Sequence, residues 1–317
     1  MSTAPVVVLS LLALLLAGPV PAVLARARWP LHSPRAALVL WQSVGAAAVL
    51  SAFGAGLAIA SRLLVPDADG RPTTSVASEI DTLGLPLWIL YVLALALTVV
   101  VGARLLLTVV QVAVRTRRQR ERHRDLVDLL DTEHVPELYG RAADLRVLAA
   151  AEPLAYCLPG LRSRVVLSDT TLTSLEPEEL RAVLAHERAH LRARHDLVLE
   201  AFLVLHTAFP RGARSRSALR AVRLLVELLA DDSAVRRAGP KPLARALVAC
   251  AGSGAPGGAL AAGGPDILAR VQRLADPRGP RRVTASAAYL VSAAILVVPT
   301  LAVAVPWLSE LSRLIGR

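Results

Sequence analysis

Four stretches of this chain carry almost no charge over roughly twenty residues or more: 5–24, 36–60, 85–103 and 283–308. A helix needs roughly 20 apolar residues to cross a hydrocarbon core about 30 Å thick, and lipid offers an unpaired backbone group no partner. Runs of this length therefore predict a chain built into a bilayer. In the third run the apolar pattern continues past Arg104 to Val114, which sets that span at about 85–111. Composition agrees, because 54% of the 317 residues are hydrophobic and 19% charged, and the mean hydropathy is +0.51. A water-soluble enzyme of this size is more polar. The first run has the length of a secretory leader, but no Lys or Arg precedes its apolar part, so a retained helix is expected.

Arginine sets the orientation. The formal net charge of +11 comes almost wholly from arginine, Lys241 being the only lysine, and cytoplasmic loops keep the excess of such residues. The first loop holds Arg26, Arg28 and Arg35, whereas the second sets Asp67, Asp69, Glu79 and Asp81 against Arg62 and Arg71. After the third span come Arg115, Arg117, Arg118, Arg120, Arg122 and Arg124. One path through a plasma membrane fits these loops, with the N-terminus outside, the first loop inside, the second outside and everything after 114 inside. The expected domains are thus 1–114 with three transmembrane helices, a cytoplasmic domain over 115–282, and 283–317 as a fourth transmembrane helix with a short outer tail. With the basic residues explained as membrane flanks, direct nucleic-acid binding is not expected. Cys157 and Cys250 lie far apart without C-x-x-C spacing and read as reduced core residues.

The polar segment reads as mainly helical. A charged helix over 117–130 continues from the membrane, and short strands over 145–151 and 165–168 flank a Leu158-Pro159-Gly160 turn. Glu176-Pro177-Glu178-Glu179 reads as a helix start, with proline in the first turn and acids at the positive end of the dipole. Further helices are expected over 215–237 and 266–274, with a flexible Gly/Ala/Pro-rich loop over 251–265. The apolar run 197–209, interrupted by Glu200, is too short to span and is expected to lie against the bilayer surface, with His206 as a packed or interfacial residue.

The chemistry lies in Ala185-His186-Glu187-Arg188-Ala189-His190. Residues four apart on a helix share a face, so His186 and His190 can point at one metal ion with Glu187 beside them. Zn2+ accepts two imidazoles and a carboxylate and keeps a fourth position for a water that it acidifies. Glu187 is then the expected catalytic base, returning its proton to the leaving amine of a peptide. The third ligand is expected from Glu227-Leu-Leu-Ala-Asp231, with Glu227 on the metal and Asp231 accepting the spare N–H of a ligand histidine. A solvated acidic face is the bland reading of that stretch. A third histidine after a glycine is excluded, because Ala193 and Asp196 occupy those positions. His195 and Asp196 could each orient a ligand, but both are expected on the helix surface.

Three membrane helices, a Leu-Ala-His186-Glu187-x-x-His190 helix, Glu227-x-x-Ala-Asp231 and a closing membrane helix together resemble the BlaR/MecR-type antirepressor metallopeptidases. The likeness extends to Ala155-Tyr156-Cys157, Val165-Val166-Leu167-Ser168, Leu175-x-Pro177-Glu178-Glu179-Leu180 and Arg270-Val-Gln-Arg273-Leu274. It implies a mainly α membrane protein with an inserted cytoplasmic α+β zinc peptidase domain of the gluzincin type. It also implies signalling by cleavage of a winged-helix repressor of the BlaI/MecI kind. Two departures stand out. The sensor domain's Ser-x-x-Lys motif is missing, since position 238 is alanine before Lys241, so a beta-lactam receptor is excluded. The aspartate that the family pattern places after the second histidine stands one residue late, at Asp196, with His195 in its place. Two other functions compete: a quality-control or CAAX-type processing peptidase, and a non-catalytic adaptor holding acidic lipids or partners through its arginines. An intact Glu187 argues against the adaptor.

Overall fold

Four helices in the computed structural model are long and apolar enough to cross a membrane, and the structure describes residues 4–63, 75–131, 144–209, 215–251, 260–261, 267–276, 279 and 282–315. The first apolar run forms α1 (Ala4–Ala17) and α2 (Pro19–Arg26), divided at Gly18 because Pro19 cannot donate to the preceding turn. The others are α3 (Pro34–Ala60), α5 (Leu85–Leu130) after the short α4 (Val76–Leu83), and the closing helix Arg282–Ile315. No glycine or proline interrupts α5 between Ala103 and Leu130, so it runs on through the arginine cluster without a break. Small residues let these helices approach closely. A Cβ on Gly54 of α3 would meet Val303 at 2.6 Å and Leu9 of α1 at 3.1 Å, and one on Gly56 would collide with Thr98 of α5. The loop residues Asp67, Asp69 and Arg71 lie outside the described residues.

The polar part is a helical layer against a small sheet. Strands β1 (Leu145–Leu148), β2 (Ala155–Leu158) and β3 (Arg164–Ser168) are followed by α6 (Asp169–Ser174), α7 (Pro177–Ala193), α8 (His195–Ala208), α9 (Ser215–Ala238) and α10 (Pro240–Ala249). The two-residue β4 (Leu260–Ala261) and α11 (Ile267–Ala275) precede α12 (Arg282–Ile315). The sheet order is β1-β3-β2-β4, with β1 parallel to β3 (Leu145 opposite Val165) and β2 antiparallel to both β3 (Cys157 opposite Val165) and β4 (Cys157 opposite Leu260). The sequence reading missed β2 and β4 as strands and carried β1 three residues too far. Except for Ala251 and the β4 pair, the 251–265 loop lies outside the described residues.

Alternation along β2 sorts its side chains. Ala155 and Cys157 pack with Val165, Leu167, Leu180 and Val183 on the α7 side, while Tyr156 and Leu158 pack with Val127 of α5 and Val166 on the other. A second core joins the membrane helices to the polar part: Trp41 and Leu38 of α3 meet Phe202 of α8 and Leu219, Val222 and Val226 of α9. Trp41 lies edge-on to Phe202, with centroids 6.4 Å apart. Helix α8 packs against α5 and α9. Phe202, Val204 and Ala208 are buried in these contacts, while Leu197 stays exposed.

Candidate metal centre

Helix α7 starts where the sequence places it. Glu176 accepts from the backbone at Glu179 while the Glu179 side chain accepts from the Glu176 N–H, closing a capping box behind Pro177. The helix stops at Arg194, the one non-glycine residue with positive φ (51°) among those described, and α8 restarts at once with His195. That reversal folds His195 back onto the zinc-type helix. Helix α9 runs beside α7, and α10 and α11 close the core formed with Ala182, Ala185 and Ala234.

On this frame His186, His190 and Glu227 converge, with donor atoms within 4.8 Å of one another and all three residues buried. The two Nε2 atoms are 3.1 Å apart, Glu227 Oε2 is 3.3 Å from His186 Nε2, and Oε1 is 3.6 Å from His190 Nε2. Ligands about 2.0–2.2 Å from a tetrahedral zinc sit about 3.3–3.6 Å from each other, so the spacing fits the ion closely. The donor set fits too: two imidazoles and a carboxylate form a known catalytic zinc triad. Glu187 is fully buried beside them, next to the Cys157 thiol.

The groups around the donors fix their protons. Asp231 Oδ1 lies 3.0 Å from His186 Nδ1, a carboxylate that favours a proton on that nitrogen and leaves the lone pair of Nε2 for the centre. His190 Nδ1 faces His195 Nδ1 at 3.0 Å. Burial, helped by the charge of His186, pushes the His195 imidazole down to about 4, so it stays neutral and can accept from His190. His195 is thus a buried neighbour of the second histidine, which corrects its expected surface placement. Asp196 is also buried, but it pairs with Arg120 of α5 at 3.2 Å instead of with a histidine.

Arg270 was quoted in the sequence only as part of a resemblance, and it proves to be central. It is 0% exposed; its Nε and Nη2 donate to the two oxygens of Asp231 at 2.8 and 2.6 Å, and Nη1 lies 2.9 Å from Glu227 Oε2. A signal was available: Ile267, Arg270, Val271 and Leu274 fall on one stripe of α11, so an arginine sits where an apolar residue belongs. One turn on, Arg273 binds Asp232 at 2.7 Å and the Leu31 carbonyl at 2.7 Å, tying α11 to the connection between α2 and α3. Tyr156 turns away from the centre, its hydroxyl 2.9 Å from His123 Nε2, so it offers no oxyanion donor.

Removing Arg270 takes a buried guanidinium away from two buried carboxylates, a change that typically costs about 3–5 kcal/mol. Arg270→Met should lower the unfolding free energy of the metal-stripped protein by that order, measured by thermal denaturation in detergent, with Arg270→Lys recovering part of it. An unshifted midpoint in Arg270→Met would remove the guanidinium from this role.

Metal-stripped protein should also show a pH signature. Burial lowers the His186 pKa, but the adjoining Asp231 and Glu227 carboxylates outweigh it and raise it to about 9. Burial likewise raises Glu187 to about 7. A folded pKa above the unfolded value contributes stability that is lost as pH rises through it. Between pH 6.5 and 9 the metal-stripped protein should therefore lose about 3 kcal/mol from His186 alone. Zinc-loaded protein should not, because its Nε2 carries no proton to lose. Equal pH profiles for the two forms would contradict this assignment.

A helix presenting two histidines and a glutamate, closed by a carboxylate from a second helix, defines a metallopeptidase of the His-Glu-x-x-His class. The chain belongs to Peptidase family M48, whose family model matches residues 116–278, just over half of its length. That family implies zinc metallopeptidase activity, and the four apolar helices mark a membrane protein. No curated protein and no solved structure matches the chain. The likeness to the BlaR/MecR type is carried by the quoted residues alone.

Proposed function

We propose that this protein is a membrane-bound zinc endopeptidase that signals by cutting a cytoplasmic regulator, such as a winged-helix repressor. The observation that carries the enzymatic part is the convergence of His186, His190 and Glu227 at zinc-ligand spacing with Glu187 buried beside them. Zinc held there would supply Lewis-acid polarisation of a scissile carbonyl and acidify a water. The side chains do the rest. Glu187, pushed up to about 7 by burial, is poised to take a proton near neutral pH and return it to the leaving amine. Asp231, held down to about 2 against its own burial by Arg270 and His186, stays ionised and keeps His186 turned inward.

The signalling part is supported by the arrangement of spans around the peptidase segment and by the arginine distribution, which favours a cytoplasmic side for 115–282. The test is a comparison of new protein N-termini in cells expressing wild type or Glu187→Gln. One or a few cleaved cytoplasmic regulators would support the reading. A broad set of cleaved membrane proteins would replace it with quality control, and no difference between the strains would remove the peptidase itself.

A further inference from the structure

Away from the metal centre, a cavity of about 1020 Å³ opens between the membrane helices and the polar part. Ligand pockets run roughly 300–1,000 Å³, so this one is large. Its wall is apolar, with Ala48 and Phe53 of α3, Leu105 of α5 and Leu205 of α8, but two arginines join it, Arg104 and Arg216. Arg104 is the lone charge in the apolar run 85–114 and lies nineteen residues into α5, about 28 Å along the helix and so near the edge of a hydrocarbon layer. Its Nε donates to the Ala208 carbonyl at 2.8 Å, and neither arginine has a carboxylate partner among the described residues. A charge within a span is costly, and one that is kept there marks a site.

We propose that this cavity binds an anionic phospholipid, with acyl chains against the apolar wall and the phosphate between Arg104 and Arg216. Two guanidiniums without a carboxylate partner among the described residues, in the wall of an apolar chamber, complement a phosphate attached to hydrocarbon, and basic pockets between membrane helices hold such headgroups. The site shares its walls with the metal centre. Helix α8 carries Leu205 on the cavity and His195 against His190, and α9 carries Arg216 on the cavity and Glu227 at the centre. The inference stands on the apolar helices and the two arginines, and would survive failure of the zinc assignment.

The full chain, purified in mild detergent, would be titrated with dioleoyl phosphatidylglycerol or dioleoyl phosphatidylcholine and read by native mass spectrometry. Phosphatidylglycerol should bind more tightly by roughly thirtyfold, the effect of two arginine contacts. The double variant Arg104→Gln/Arg216→Gln should drop to the phosphatidylcholine level, the double lysine variant should keep the preference, and Ala48→Phe, which fills the chamber, should weaken both lipids. Circular dichroism and thermal unfolding would establish that each variant is folded. Inorganic phosphate at millimolar concentration should not displace the lipid. Equal affinity for the two lipids, a preference that persists in the double glutamine variant, or displacement by phosphate alone would overturn the proposal.

Discussion

Glu187→Gln should retain its metal and lose roughly 10²–10⁴-fold in peptide-bond cleavage, the range that a positioned general base contributes. The side chain is fully buried next to the donor cluster, with the Cys157 thiol as its neighbour. An isosteric amide keeps the shape of the side chain and its place beside Cys157 while removing the carboxylate that can carry a proton. The measurement pairs zinc content by atomic emission with turnover of a fluorogenic peptide. Wild-type turnover in a zinc-loaded Gln variant would leave Glu187 without a chemical role. Loss of zinc in that variant would instead make it a ligand.

Glu227→Ala should act on the metal itself. Loss of an outer-shell partner already costs 10–100-fold in metal affinity, so loss of one of three donors should cost more than about 100-fold. His186→Ala should behave alike, and both should come through dialysis against a chelator without zinc. Glu227 lies on α9, thirty-seven residues beyond His190, and meets the histidines only because α9 packs along α7. One equivalent of zinc surviving dialysis in both variants would dissolve the proposed centre. Arg270→Met separates the effects: it keeps all three donors and removes only the partner of Glu227 and Asp231, so its zinc affinity should fall by about 10–100-fold, less than in the donor variants, while its stability falls.

Much of the architecture was legible because it depends on local rules. Uncharged runs longer than a bilayer is thick gave the apolar helices, and proline with paired glutamates gave the start of α7 to the residue. The histidine pair follows from helical periodicity. Other features were less visible. Strand β2 is four residues long and fully buried, too short for its alternation to stand out, and its partners are settled by packing on α7 and α5. The break at Gly18, by contrast, was written in the adjacent proline and went unread.

His195, Asp196 and Arg270 mark the boundary between the two kinds of information. As sequence, His195-Asp196 is a polar pair at a helix end and Arg270 a charge in a nine-residue helix. Their burial depends on a left-handed residue at Arg194, on α5 bringing Arg120 to Asp196, and on α11 returning across the end of α9. The sequence alone determined which helices are apolar enough to enter lipid and that two imidazoles and a glutamate share one helical face, since hydropathy and a 3.6-residue period are properties of neighbours along the chain. Only the tertiary structure decided that the expected Glu227 reaches the histidines and which arginine holds it, because those contacts span tens of residues and exist only once helices pack.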